Sequence, residues 1–327
     1  VDVRKLRNYW VPGKEGIQQN HYNISWYNNP YFQAYEYLRG YHKDNYFGAL
    51  DLNYDLSESF SLKLRNGLNG YALNRSFKEP KSYVGYSNIS RGNFSTSTVN
   101  YLDIISDLML AYRKSLGEIN INAQVGASNY YRNHRYQTAS TDGLTVPGFY
   151  NLANSANPIQ GSNGLEERRT SSLYGYVDVD YRNSFYLTLT GRQDKISTLP
   201  VGNNSYFYPS LSGSVILSNL IDLPSQRSYL KARGSWSRVS SGTLNDNEYT
   251  YGFLQAYDKG TSWNNTPALS YGSAQINPDI KPQTSDSWEA GLELKLFNGR
   301  LGIDATYYQS RDYNNIVSIP VSETSGY

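Results

Sequence analysis

Residues 285–313, SDSWEAGLELKLFNGRLGIDATYYQSRDY, decide how the rest of the chain is interpreted. Apolar side chains occupy every second position of the first arm: Trp288, Ala290, Leu292, Leu294 and Leu296. The arm after Asn298-Gly299 alternates similarly, and Asn-Gly favours a type I′ hairpin turn because both central positions need positive φ. Each arm matches the roughly 9–11 residues with which a tilted strand crosses a bilayer. One apolar face, one charged face and a short turn predict a hairpin of an outer-membrane β-barrel.

The same alternation recurs in pairs of strands along the chain. The predicted strands are residues 46–56 and 60–65, 102–113 and 119–128, 173–181 and 185–192, and 207–217 and 229–239, before the two arms of 285–313. Hydrophilic segments between them predict long loops at 74–100, 132–169 and 240–283. Outer-membrane barrels combine short periplasmic turns with long extracellular loops, whereas a soluble β-sandwich more often keeps its connections short. We therefore predict an all-β, antiparallel transmembrane barrel with Asn298-Gly299 on the periplasmic side and Trp288 in the extracellular half of its outer face.

Composition is compatible with this interpretation. The chain has 33 Tyr, no Cys and a net charge of +2, which indicates no disulfide framework and no nucleic-acid partner. The mean hydropathy of −0.62 suits a barrel in which only alternate residues are apolar. No window approaches 18 consecutive apolar residues, so a helical span is excluded. The start, VDVRKLRNYW, has no Met and no apolar signal core, and we expect it to lie inside a longer protein.

Two groups of residues carry a family resemblance. Residues 277–292 match the pattern N-P-x-L/I-K-P-E-x-x-x-x-W-E-x-G-L, and residues 297–308 match the F-N-G/N-R-L-G-x-D-x-T-Y-Y that follows it. Residues 191–194 and 208–212 are similar to G-R-x-D-G-S-S and F-P-S-x-S, with Lys195 for the Gly and Tyr208 for the Phe. Weaker matches are 29–32, 149–152 and 229–233. The chain thus resembles the SusC-like family of TonB-dependent outer-membrane transporters.

The resemblance implies a 22-stranded barrel with an N-terminal plug and a coupling box that engages TonB. It also implies a SusD-like lipoprotein as lid and an oligosaccharide or peptide as cargo. Residues 1–327, with about ten or eleven strands, are then expected to be an incomplete part of one barrel domain in the outer-membrane bilayer. The plug, the coupling box that contacts TonB, and the last strands are not present in this stretch. A passive porin and a structural or assembly component of a larger complex remain alternatives.

No chemistry-bearing motif stands out. The three His are scattered without ligand spacing, and no G-x-S-x-G is present. The acidic residues 245–248 lack the spacing of an EF-hand loop. We therefore predict no catalytic residue, no metal site, no cofactor and no enzymatic activity.

Two sets of side chains are candidates for contact with plug or cargo. Charged residues on the predicted lumen side either bond to plug, water and each other or line the substrate path. They are Asp51, Asp55, Lys63, Arg65, Asp178, Asp180, Arg192, Lys231, Arg233, Glu289 and Glu293. Aromatic residues in the predicted loops could stack on sugar rings, pack the loops or contact the lid. They are Phe149 and Tyr150 in one loop and Tyr249, Tyr251, Tyr257, Trp263 and Tyr271 in another.

Overall fold

The computed structural model describes residues 2–23, 26–85, 89–221, 229–242, 250, 254–264, 266–272, 275–322 and 324, and most of them are in strands. The helices within these ranges are short: η1 (Val3–Arg7), α1 (Pro30–Glu36), η2 (Leu152–Asn154) and η3 (Leu217–Asn219), of which only α1 is an α-helix. Asn29 caps α1, because its side chain accepts a hydrogen bond from the backbone N–H of Tyr31. Within the described ranges no helix has the length and apolar character to cross a membrane.

The described residues form twelve strands. They are β1 (Leu38–Asp55), β2 (Phe60–Val84), β3 (Ile89–Leu116), β4 (Ile119–Leu144), β5 (Ser155–Tyr181), β6 (Phe185–Ile196), β7 (Ser205–Ile216), β8 (Tyr229–Ser241), β9 (Tyr257–Trp263), β10 (Thr266–Tyr271), β11 (Gln283–Leu296) and β12 (Leu301–Tyr313). Ten of them form one sheet in the order β1-β2-β3-β4-β5-β6-β7-β8-β11-β12, while β9 and β10 pair separately. The ten strands of the large sheet are the ten that alternation predicts, so the predicted antiparallel sheet is confirmed.

Several strands are longer than predicted. Residues 74–100 and 132–169 were expected to be loops, but β2 and β3 extend to Val84 and from Ile89, and β4 and β5 extend to Leu144 and from Ser155. Those loop boundaries are wrong. Backbone pairing continues through hydrophilic sequence here, and residues 145–154 connect β4 to β5. The third predicted loop, 240–283, contains the β9–β10 hairpin.

One face of the sheet is apolar and exposed. Leu50, Leu187 and Leu292 have 53%, 43% and 54% of their surface exposed. The described hydrophobic residues that are buried are few: Phe32, Leu73, Leu144, Ile196 and Leu199. A water-soluble chain of this length buries a larger apolar core, and extended apolar surface on a protein marks contact with another apolar phase. The exposed apolar face is the one that alternation predicts to face lipid.

The chain divides into two compact units, Val1–Phe47 with Leu68–Asp103 and Asn133–Glu166, and Gly48–Gly67 with Ile104–Arg132 and Glu167–Tyr327. In the first unit, Phe32 of α1 is fully buried and meets Trp10 edge-on, with ring centroids 5.1 Å apart. Gln19 is also buried and donates its side-chain N–H to Ser82 O at 2.6 Å. In the second unit, β11 pairs with β8 on one side and with β12 on the other.

The turn between β11 and β12 lies where it is predicted and includes one further left-handed residue. Leu296 pairs with Leu301, and φ is positive at Phe297 (55°), Asn298 (60°) and Gly299 (80°). The backbone N–H of Gly299 donates to Leu296 O at 3.1 Å and that of Arg300 donates to Phe297 O at 3.3 Å, so two tight turns overlap here. Asn298 and Gly299 are the central residues of the second turn, as predicted, and Phe297 and Asn298 are those of the first.

Replacing Gly299 with Val is expected to lower the free energy of unfolding by about 1–2 kcal/mol, because a β-branched residue is strained at positive φ. Urea unfolding of the full-length protein in lipid vesicles, followed by tryptophan fluorescence, measures the change. Arg300→Val is the control, since Arg300 is not among the residues with positive φ. Equal midpoints for the two variants would contradict the assignment of strain to position 299.

Candidate functional site

The eleven charged candidates all lie in the second unit. Seven of them are described here: Asp51, Lys63, Arg65, Asp178, Asp180, Arg192 and Arg233. They point away from the exposed apolar side chains of the same strands, and this side is called the polar face below. The structure does not collect them into one cluster. It distributes them over four separate groups of hydrogen bonds and ion pairs along the sheet.

The first group joins β1 and β2. Arg65 Nε donates to Asp51 Oδ1 at 2.9 Å, and Lys63 Nζ lies 3.4 Å from the same oxygen. All three side chains are substantially exposed, so water screens the attraction. This group holds two cations on one carboxylate and keeps a net positive charge.

The second group contains the two aspartates of β5, which meet neutral donors. Asp178 Oδ1 accepts from Thr188 Oγ1 at 2.7 Å, and Asp180 Oδ2 accepts from Asn120 Nδ2 at 3.2 Å. Asp180 Oδ1 is buried without a hydrogen-bond partner among the described residues. These residues line a cavity of about 640 Å³ together with Arg113 and Lys114. The arrangement suits water or a polar group from another segment.

The third group surrounds Arg192. The sequence indicated Arg192 as a candidate but not the residues that bond to it. Arg192 Nε donates to Asp194 Oδ1 at 2.8 Å, and Arg192 Nη2 donates to Ser172 Oγ at 2.8 Å. The hydroxyl of Tyr208 donates to the other oxygen of Asp194. Only 7% of Asp194 is exposed. Asp194 and Tyr208 both lie in quoted motif segments, but nothing in the sequence indicates that they bond to each other.

The fourth group links three strands through Arg233. From β8, Arg233 reaches across β11 to β12, where its Nη1 and Nη2 donate to the two Asp304 oxygens at 3.1 and 2.6 Å. Arg233 Nη2 also donates to Thr306 Oγ1 at 2.7 Å. A Cβ on Gly291 would lie 2.7 Å from Arg233 Nε. Gly291 therefore leaves the space through which the arginine crosses.

Replacing Gly291 with Leu is expected to displace Arg233 from Asp304 although both charged residues remain. Urea midpoints of the full-length protein should then fall, and adding Arg233→Ala to Gly291→Leu should cause no further loss, since the contact is already broken. Gly302→Leu is the matched control, because a Cβ at Gly302 meets open space. Additive losses for Gly291→Leu and Arg233→Ala would contradict this account.

A further ion pair, which the sequence did not indicate, lies on the apolar face. Arg238 Nε and Nη2 donate to Asp286 Oδ1 and Oδ2 at 2.7 and 2.9 Å, and Tyr313 O–H donates to Asp286 Oδ2 at 3.3 Å. Trp236 and Trp288 pair in register next to them, with ring centroids 5.9 Å apart. Asp286 precedes Trp288 by two positions and so lies on the same face of the strand. This spacing was the sequence signal that could have placed Asp286 on the apolar face. The ion pair ends the apolar stripe beyond the tryptophans.

The described loop aromatics are divided between the two units. Tyr257 begins β9, Trp263 ends it, and Tyr271 ends β10. Trp263 is 82% exposed. Tyr249 and Tyr251 lie outside the described residues. These positions belong to the second unit, whereas Phe149 and Tyr150 belong to the first.

Phe149 and Tyr150 have contrasting environments. Asn154 Nδ2 donates to the Phe149 carbonyl oxygen at 2.7 Å, and the Phe149 side chain remains exposed. Tyr150 packs near Phe94, with ring centroids 6.4 Å apart, and Lys78 Nζ lies 5.5 Å from its ring centroid. Burial, with the charges of Glu36 and Glu79, raises the pKa of Tyr150 to about 12. Tyr150 is therefore packed within the first unit, whereas the Phe149 side chain is free to meet a ligand.

The described residues contain no group of three or more His, Cys, Asp or Glu arranged to hold a metal ion. The acidic segment 245–248 lies outside them.

Comparison with known proteins gives consistent matches to one family. The model of the family "TonB dependent receptor-like, beta-barrel" matches residues 3–327. TonB-dependent receptor P26 of Formosa agariphila is 25% identical over 297 residues, which are 87% of this chain and 29% of that protein. TonB-dependent receptor SusC of Bacteroides thetaiotaomicron is 22% identical over 288 residues, which are 85% of this chain and 28% of that protein.

The fold is also similar to a solved structure. A chain of the RagAB peptide transporter aligns with a TM-score of 0.78 and 16% identity, covering 92% of this chain and 33% of that one. At this identity the likeness concerns the fold alone. The chain spans about three tenths of the length of the curated relatives it matches.

Proposed function

The chain belongs to the TonB dependent receptor-like β-barrel family, and we propose that it is the barrel part of an importer that moves a large solute, an oligosaccharide or a peptide, into the periplasm. Its location is the outer membrane, as for the receptors it resembles. The family consists of receptors and transporters rather than enzymes. The two-faced ten-stranded sheet is the observation that carries the proposal.

The two faces fit separate tasks in such an importer. The exposed apolar face, bordered by Trp236 and Trp288, contacts lipid, because aromatic girdles mark the interfaces of outer-membrane barrels. The polar face lines the lumen, where the carboxylates and guanidinium groups meet water, the plug or passing cargo. The short β1–β2, β3–β4, β5–β6 and β11–β12 turns are then periplasmic, and the long β2–β3 and β4–β5 hairpins extend outside the cell.

The proposed partners follow from the same family. A SusD-like lipoprotein closes the extracellular end, and TonB supplies energy through an N-terminal segment that precedes the barrel in the full-length protein. Residues 1–327 form part of a single barrel domain in this proposal, and a plug and further strands complete it. No cofactor takes part, and the chain itself makes or breaks no covalent bond.

Energy-dependent uptake tests the proposal. A strain lacking the full-length gene would be supplied with labelled oligosaccharides and peptides, with and without a protonophore that dissipates the energy TonB uses. Import predicts uptake that is lost in the deletion strain, restored by the wild-type gene and abolished by the protonophore. Uptake that survives the protonophore would indicate a passive porin. Unchanged uptake of every cargo in the deletion strain would instead support a structural or assembly role.

A further inference from the structure

A groove of about 440 Å³ lies in the first unit at the ends of β1, β2 and β3 that are opposite their short turns. Eight residues line it: Arg39, Gly40, Tyr41, Arg75, Ser76, Phe77, Ser95 and Ser97. Its volume lies within the range typical of ligand pockets, about 300–1,000 Å³. Neither set of sequence candidates includes any of these eight residues.

Charge distinguishes this groove from the cavities of the polar face. Its lining has two guanidinium groups and no carboxylate, whereas the 640 Å³ cavity includes Asp178 and Asp180. The arginines that hold the sheet together are each paired with an aspartate, as Arg192 is with Asp194 and Arg233 with Asp304. Arg39 and Arg75 form no ion pair with any residue in the described ranges. Both are exposed, so their charge is available to a ligand.

Aromatic rings and hydroxyls accompany the two arginines. The Arg39 guanidinium carbon lies 5.3 Å from the Phe77 ring centroid and 5.8 Å from that of Tyr37, which fixes the arginine over aromatic surface. Tyr41 is 78% exposed on the same strand face. Ser95 and Ser97 of β3 supply hydroxyls that can donate and accept hydrogen bonds.

We propose that this groove binds acidic oligosaccharides, which deepens the proposed import function and rests on it. Arg39 and Arg75 would hold carboxylate or sulfate groups, because a guanidinium fork matches such oxyanions bidentately. Tyr41 and Phe77 would contact the apolar C–H faces of sugar rings, and the serines would bond to ring hydroxyls. An acidic peptide would pair with the arginines, but it has no hydroxylated sugar ring that could contact the aromatic side chains and bond to the serines at the same time.

Binding to the full-length protein in detergent tests the groove. The probes are tetragalacturonate, the neutral maltotetraose and a tetraglutamate peptide. Each is titrated calorimetrically at about 50 and 300 mM NaCl, between which the Debye length shortens by a factor of about 2.4. Wild-type protein should prefer tetragalacturonate and bind it more weakly at high salt. The double variant Arg39→Gln/Arg75→Gln should lose about tenfold or more in affinity, as expected when two charge-assisted contacts are removed. Arg135→Gln, an exposed arginine on β4 outside the groove, should bind like wild type.

Several results would overturn the groove proposal. They are absence of tetragalacturonate binding to wild type, equal binding of maltotetraose, tetraglutamate binding with the same dependence on Arg39 and Arg75, or a double variant that matches Arg135→Gln. Equal urea midpoints for all variants exclude misfolding as the cause of lost binding. Energised uptake of other cargo that does not depend on Arg39 and Arg75 would leave the importer intact and reject only the groove. Uptake that needs no energy would reject the importer itself.

Discussion

Replacing Leu292 with Arg is expected to destabilise the full-length protein in a bilayer by about 2–4 kcal/mol, the cost of arginine at the midplane of a lipid-facing strand. Leu292 is 54% exposed on the apolar face and lies midway between Trp288 and the last residue of β11, Leu296. Its neighbours in register are Ala232 and Ala305, which offer a new guanidinium no hydrogen-bond partner. The expected cost therefore comes from lipid contact rather than from a lost packing partner.

The polar face supplies the control for this prediction. The native Arg233 lies directly opposite Gly291, one position from Leu292 along β11, and its ion pair with Asp304 shows that this side accommodates arginine. Ser235→Arg adds an arginine on the polar face beside Glu289 and should cost less than about 1 kcal/mol, as for substitutions that keep exposed groups paired. Urea unfolding in lipid vesicles measures both variants. Equal losses would mean that the two faces do not meet different solvents, and the membrane assignment would fail.

The strands whose ends were predicted closely and the strands that were predicted too short differ in what surrounds them. Between the tryptophans and the short turns, lipid on one side and polar groups on the other enforce strict alternation, so β6, β7, β11 and β12 could be placed closely. Beyond the bilayer both faces of a hairpin meet water, and alternation disappears although backbone pairing continues. This explains why residues 74–84, 89–100, 132–144 and 155–169 resembled loops although they form the distal parts of β2 to β5.

The residues of the family signature prove to be spatial neighbours, which spacing alone could not indicate. Gly291 belongs to the motif at 277–292, Asp304 to the segment at 297–308, and Arg233 to the weak match at 229–233. The structure joins all three in one crossing of β11. Finding this contact requires the register of three strands and the knowledge that Gly291, which has no side chain, leaves space for Arg233. Much of the resemblance therefore reflects how these strands are held together, and under the import proposal we expect cargo contacts elsewhere, as in the groove of the first unit.

The motif at residues 191–194 and 208–212 supports a further prediction. Asp194→Ala is expected to lower the free energy of unfolding by about 2 kcal/mol. Removing one partner of a fully buried ion pair costs about 3–5 kcal/mol, and the estimate is reduced because the Arg192 side chain is 40% exposed to water. Asp194 itself is 7% exposed and accepts from both Arg192 and Tyr208, so two donors on β6 and β7 lose their acceptor together. Urea unfolding of the full-length protein in vesicles provides the measurement.

Two matched variants distinguish the effect of breaking this cluster from the effect of removing any negative charge. Asp178 is a carboxylate on the same polar face, and it accepts hydrogen bonds only from neutral donors, Thr188 at 2.7 Å and Asn122 at 3.4 Å. Asp178→Ala should therefore cost no more than about 1 kcal/mol. Tyr208→Phe restores the residue of the family pattern and removes one of the two donors to Asp194, so its cost should fall between the two. If Asp194→Ala and Asp178→Ala lose the same stability, the Arg192–Asp194–Tyr208 cluster does not join β6 to β7. The motif would then need an explanation outside the sheet.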